Sequence, residues 1–191
     1  SPNGIMANEV DRLLHSDDYR FGYPTKEELT QRTMAEGRDW LTPALNSGYL
    51  EISVVGDFDL ETAIDAVART FGTLPEREAD KPAYAAERAV KFPKDLTGVQ
   101  RYDFESSIPK SAVGVYWPTE DMSNIQRTRR LGLLSEVVGD RLRIKVREEL
   151  GAGYSPRSHN LSSPSFTDYG YLFAMVQAAP DQSEKVADVI L

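Results

Sequence analysis

Apolar positions fall into a few blocks along the chain, and their spacing separates helices from strands. After Ser1 to Gly4, which read as a turn, Ile5, Val10, Leu13 and Leu14 recur on a helical spacing that breaks at the polar run Ser16-Asp17-Asp18. Thr25-Lys26-Glu27-Glu28 is a capping box, in which a hydroxyl and a carboxylate satisfy the first free amides, so a helix is expected from Thr25 onward with Pro24 and Pro43 as its limits. Residues 49–55 are mostly apolar or β-branched and run into Gly56-Asp57-Phe58-Asp59, the pattern of a strand delivering into a tight turn. Asp59 is placed to cap the following helix. That helix carries Ala63, Ile64, Val67, Ala68 and Phe71 three and four apart, with Gly72 as its stop.

Residues 73–87 interrupt the periodicity with Pro75, Pro82 and the charged Glu76-Arg77-Glu78. Three strands are expected after them, at 89–92, 99–104 and 112–117, separated by Pro93, Gly98 and Pro109. Ser123-x-x-Gln126 reads as a second capping box opening the longest helix, whose Leu131, Leu134, Val138 and Leu142 form one apolar stripe and whose end is expected at Leu150-Gly151. Within it Gly132 and Gly139 are seven apart, on one face, where a missing side chain lets another backbone approach. Strands at 154–161 and 169–178 follow, and Pro180-Asp181-x-x-Glu184 starts a last helix. Val186, Ala187, Val189, Ile190 and Leu191 carry it to the final residue without a polar stop, as in a chain truncated within a helix. The strand, Asp-containing turn and helix near 49–71 are echoed at 169–190, which suggests duplication. The expected class is α+β, with mixed or antiparallel sheets, helices packed on one face and two related subdomains. Residues 1–75 would end one subdomain, 76–88 link, and 89–191 form most of the second.

Composition narrows the chemistry. The 191 residues hold 22 Lys and Arg against 30 Asp and Glu, a formal net charge of −8, which argues against a phosphate-binding surface and therefore against nucleic acid as a partner. No apolar run approaches the ~18 residues of a membrane-spanning helix. With no cysteine there is neither a disulfide nor a thiolate site, and His15 and His159 are too far apart for a His-x-x-x-His zinc motif on one helix. No Gly-x-Ser-x-Gly elbow occurs. Gly151-Ala152-Gly153 follows a helix instead of opening one, so it reads as a C-cap and not as a phosphate cradle. Glu148-Glu149 and the Asp57/Asp59 pair read as solvated or capping carboxylates. The basic run Arg141, Arg143, Lys145, Arg147 differs in kind. The first three are assigned to water and to the negative end of the helix dipole. Arg147 stands in the last turn, and Tyr154 leaves the same corner, so a guanidinium fork and a phenol could together hold a peptide. On physics alone, that reading and a structural one stand level.

Gly139-Asp140-Arg141-Leu142-Arg143, followed by Arg147-Glu148-Glu149-Leu150-Gly151 and Tyr154-Ser155-Pro156, resembles the helix-to-strand corner of the insulinase/pitrilysin family of zinc metallopeptidases, relatives of the mitochondrial processing peptidase. Val54-Val55-Gly56-Asp57-Phe58-Asp59, with Phe71-Gly72-Thr73-Leu74-Pro75 beyond it, resembles the strand, turn and helix of the same family. Such molecules are two facing half-shells around a chamber that admits unfolded peptide. Their N-terminal half carries an inverted motif, His-x-x-Glu-His, and a further Glu that together bind zinc and activate water. Their C-terminal half supplies an Arg and, seven residues on, a Tyr that hold the substrate backbone, and Arg147 and Tyr154 have that spacing. No His-x-x-Glu-His occurs here: His15 precedes Ser16-Asp17-Asp18-Tyr19, and His159 precedes Asn160-Leu161-Ser162-Ser163. The resemblance therefore implies a C-terminal, non-zinc-binding portion of a metalloendopeptidase, inactive by itself. It would have no catalytic or metal-binding residue of its own, and its substrate-binding residues would be Arg147 and Tyr154. The implied partners are a peptide and the N-terminal half of the same protein, which would hold the zinc. A catalytically silent scaffold or regulatory subunit is the alternative within the family. A bacterial periplasmic location is expected ahead of a cytoplasmic one.

Overall fold

The computed structural model describes residues 1–96, 98–151 and 155–191. It opens with a continuous helical run made of α1 (Pro2–Ile5), a π-helical stretch (Met6–Val10) and α2 (Asp11–Leu14). The turn expected at Ser1 to Gly4 is thus a helix start. The Ser1 hydroxyl accepts the Gly4 amide, and Pro2 sits in the first turn, where its missing N–H leaves nothing unbonded. The run stops where predicted, with Ser16 and Asp17 in the left-handed region at φ of 54° and 58°.

The described residues divide into two compact units, one of Pro24–Tyr84 and one of Ser1–Tyr23 together with Ala85–Leu191. The first 23 residues therefore belong with the second half of the chain, and the boundary between Tyr84 and Ala85 falls inside the stretch read as a linker.

In the unit of Pro24–Tyr84, Thr25 and Glu28 close the predicted capping box ahead of α3 (Lys26–Gln31). The single helix expected up to Pro43 is two. Arg32 is extended, Thr33 and Glu36 form a second capping box, and α4 (Met34–Ser47) contains Pro43 without ending there. A proline inside a helix removes one amide donor, and here the turns on either side hold. Asp59 caps α5 (Leu60–Thr70) by accepting from the Thr62 amide at 2.9 Å, as expected, and a 3-10 turn (Phe71–Thr73) follows. Residues 49–55 pair with nothing among the described residues, so the predicted strand does not form. Apolar, β-branched sequence supplies propensity only, and a strand also needs a neighbour to bond to. Arg77 closes the C-terminal end of α4. Its guanidinium donates to the carbonyls of Gly48 at 2.7 Å, Leu45 at 2.9 Å and Ala44 at 3.1 Å.

The other unit is built on an antiparallel sheet of β1 (Ser111–Thr119), β2 (Arg157–Ser162) and β3 (Gly170–Ala178), in the order β1-β3-β2. Its helices are α6 (Ile125–Leu150) and α7 (Ser183–Ile190). Register runs from Ser111 opposite Ala178 to Thr119 opposite Gly170, and from Arg157 opposite Met175 to Ser162 opposite Gly170. Burial alternates strictly along β3. Ala174, Val176 and Ala178 pack with Leu142 and Val146 of α6 and with Val186 and Val189 of α7. Each wholly buried valine contributes roughly 1.5–3 kcal/mol relative to exposure. On the opposite face lies the N-terminal helical run, where Gln177 Nε2 donates to Asn3 Oδ1 at 3.0 Å and Tyr169 Oη to the Leu14 carbonyl at 3.0 Å. The expected one-sided helical layer therefore gains a second, shorter cover.

Two of the strands expected in this unit, 89–92 and 99–104, do not form. Around the first, the Lys91 and Glu87 carbonyls accept from the side chains of Ser16 and Arg20 instead of from a ladder, and Pro93 blocks extension. The second is mostly exposed, with no apolar face buried. The cap of α6 is Asn124, which accepts the Arg127 amide at 3.1 Å, and not Ser123, whose own amide goes to Asp121. Gly139 does meet a neighbouring strand: a Cβ there would lie 3.6 Å from Ser158, whereas none of the described residues approaches Gly132.

Candidate functional site

Arg147 lies in the last turn of α6, one turn beyond Arg143, with its side chain exposed. Packing of Leu142 and Val146 into the core turns the opposite side of the helix, and Arg147 with it, outward. Gly151 terminates the helix at φ 86°, a conformation open to glycine, which agrees with the C-cap reading of this corner. Tyr154, the second predicted member of the pair, lies outside the described residues, as do Ala152 and Gly153.

Two other basic residues near the end of α6 have partners of their own. Arg143 pairs with Asp140 at 2.5 Å. Lys145 reaches the Val189 carbonyl on α7 at 3.5 Å, and Arg141 lines a shallow cavity of about 170 Å³ between α6, β3 and α7. Arg147 forms no hydrogen bond or ion pair among the described residues. The carbonyls at the end of α6 are met instead by a residue the sequence did not point to. Lys185 of α7 donates its Nζ to the Glu149 carbonyl at 3.0 Å, so the helix terminus has a cation without using Arg147. The only sequence signal for Lys185 is its place in the last expected helix.

The two histidines are far apart in role. His15 is 7 % exposed, stacked on Phe21 with ring centroids 3.4 Å apart, and its Nδ1 lies 2.6 Å from the Asp11 carbonyl. His159 is exposed on β2. Among the described residues no group of three or more His, Cys, Asp or Glu side chains could hold a metal ion, and no helix is long and apolar enough to cross a membrane.

With this geometry in view, residues 38–191 match the family described as the peptidase M16 inactive domain. No curated protein matches. Among solved structures, all of this chain is similar to 20 % of the ferredoxin protease FusC, a variant crystallised with Arabidopsis ferredoxin, at a TM-score of 0.59 and 14 % sequence identity. The periplasmic protease PqqL from Escherichia coli is similar over 71 % of this chain and 15 % of its own, with a TM-score of 0.46 and 15 % identity. The likeness to FusC concerns the fold alone, and the chain spans about a fifth of that protein's length.

Proposed function

Since this chain belongs to the inactive-domain family of M16 peptidases, we propose that it is the non-zinc-binding C-terminal portion of a zinc metalloendopeptidase. In that protein it closes the chamber and holds the substrate backbone through Arg147 and Tyr154. The observation that carries the reading is the exposed guanidinium of Arg147, which has no hydrogen bond or ion pair among the described residues, while the helix end it could have served is served by Lys185. A guanidinium offers several fixed N–H donors to a peptide carbonyl, and a phenol can donate to an oxygen that gains negative charge as that carbonyl is attacked. Among the described residues no side-chain cluster could hold zinc, and in this reading the metal and its water belong to the N-terminal half. The contribution of this portion is binding and orientation.

Kinetics of the parent enzyme on an unfolded peptide test the proposal. Arg147→Ala and Tyr154→Phe should each lower kcat/KM by ~10²-fold, the scale of losing one donor at a developing oxyanion, with zinc content unchanged. Unchanged kinetics in both variants would remove the two residues from the site. The 191-residue chain by itself is expected to cleave nothing, and zinc-dependent cleavage by it would overturn the assignment. A parent sequence without His-x-x-Glu-His would instead make this a silent scaffold or regulatory subunit.

A further inference from the structure

The sheet face turned away from α6 and α7 carries a second constellation. There β1 and β3 present Tyr116, Tyr171 and Phe173, whose ring centroids are 5.8 Å apart for Tyr116 and Tyr171, 6.0 Å for Tyr116 and Phe173, and 6.4 Å for Tyr171 and Phe173. Gly114 makes the arrangement possible: a Cβ at that position would fall 2.9 Å from the Tyr116 ring, so the ring lies along the strand only because the side chain beneath it is missing. Between these rings and the N-terminal helical run is a cavity of about 240 Å³, bordered on the helical side by Met6, Val10 and Asp11. That volume is several times the ~30 Å³ a water molecule occupies in the liquid. The border falls on the π-helical stretch Met6–Val10, an irregularity found more often at functional sites than in plain packing helices.

Charge decides what would suit the cavity. The Asp11 side chain is 34 % exposed, and among the described residues its one ion-pair partner is His15, with Nδ1 3.4 Å from Oδ1. That nitrogen lies nearer still to the Asp11 main-chain oxygen, at 2.6 Å. No lysine or arginine neutralises the carboxylate among the described residues. After burial, the Asp11 charge is what holds the Tyr116 and Tyr171 phenols above their ordinary pKa, which places the charge on the side where the rings are. Arg157 and His159 share this sheet face, opposite Met175 and Phe173, and neither lines the cavity. Aromatic faces carry negative potential and attract cations, and a carboxylate beside them adds to the same preference.

We propose that this cavity binds an organic cation, a primary ammonium or guanidinium on an alkyl stem, with the stem against Met6 and Val10 and the charge held by Asp11 and the rings of Tyr116 and Tyr171. Such a group comes either from a lysine or arginine side chain of a bound polypeptide or from a free alkylamine.

The test is an NMR titration of the whole 191-residue chain with n-hexylammonium, with n-hexanol as its neutral counterpart, and with a capped lysine tripeptide. The ammonium should bind about tenfold more tightly than the alcohol, with amide shifts confined to residues 6–14, the strands β1 and β3 and the neighbourhood of Leu161, and the preference should shrink as salt is raised. Asp11→Asn and Tyr171→Leu should each abolish most of the preference, while Tyr171→Phe keeps it. Tighter binding of the tripeptide than of hexylammonium assigns the site to polypeptide side chains, and weaker binding assigns it to free amines. Equal affinity for alcohol and ammonium, or an undiminished preference in Asp11→Asn, overturns the proposal. Should Asp11→Asn fail to fold, the alcohol-to-ammonium comparison and its salt dependence in the unaltered chain still decide.

Discussion

Tyr169 and Tyr171 show how single residues tie the N-terminal helical run to the sheet, and they make its stability depend on pH. Burial raises both phenols, Tyr171 to about 12 and Tyr169 further, with the neighbouring Tyr171 and the Asp11 carboxylate adding to the shift of Tyr169. In the unfolded chain these groups ionise near their ordinary value of 10.0. Below that pH both states hold the proton and the stabilisation is complete. Above it the unfolded chain releases protons that the folded chain retains, so stability falls, and for Tyr171 the loss ends once pH passes about 12. Denaturant midpoints measured from pH 8 to 12 should be flat to about 10 and then drop, by up to ~1.4 kcal/mol per pH unit for each phenol still protonated in the fold. A flat profile through pH 11 would show that neither tyrosine is held as the structure places it. None of this was readable from spacing, because the sequence showed Tyr169 and Tyr171 only as strand residues. Their partners, Leu14 and Asp11, are more than 150 positions away. The candidate peptide-binding corner was readable to a greater degree, since Arg147, the end of its helix and the glycine cap follow from local pattern. That Lys185 and not Arg147 serves the helix end depends on how α7 docks, which no local pattern encodes.

At the level of elements, helices followed from the sequence wherever their caps are local. Thr25 with Glu28, and Asp59 with Thr62, are three residues apart, and both form as the spacing requires. The cap of α6 shows the limit of such reading. Ser123 and Asn124 are both good N-cap residues, and Gln126 three beyond Ser123 favoured the serine. The structure gives the role to Asn124 because Asp121 takes the Ser123 amide and draws that residue out of the cap position. Asn124→Ala should destabilise the unit containing α6 by ~1 kcal/mol in urea unfolding, and Ser123→Ala by a few tenths at most. A larger loss for Ser123 would reverse the assignment. Strands were less readable for a physical reason. The segments at 49–55, 89–92 and 99–104 have the composition of strands, but a strand forms only where a second one with free amides and carbonyls lies alongside. The strands expected at 112–117 and 169–178 form, and the one expected at 154–161 forms from Arg157 to Ser162, because the register of β3 serves β1 on one side and β2 on the other.

For the whole molecule, the two units differ in what holds them together. The one of Ser1–Tyr23 and Ala85–Leu191 has a closed core of valines, leucine and alanines between sheet and helices. In Pro24–Tyr84 none of the described residues is buried, Trp40 is 80 % exposed, and the apolar stripe of α5 leaves Ile64 and Phe71 in solvent. Isolated helices of six to fourteen residues are marginal in water, and without burial only caps and the Arg77 clasp on α4 support these. Hydrogen exchange should therefore separate the units: amides of α4 and α5 are expected to exchange ~10³-fold faster than those of β3 and the middle of α6, since local opening needs no core to be broken. Protection of α5 equal to that of β3 in the isolated chain would mean that a second copy or another surface covers its stripe. The chain is similar to about a fifth of the length of FusC. If it is one portion of such a peptidase, the same amides should gain protection in the parent protein, and residues 49–55 most of all. Those residues pair with nothing among the described residues, so pairing there would turn the strand expected from the sequence into one that forms.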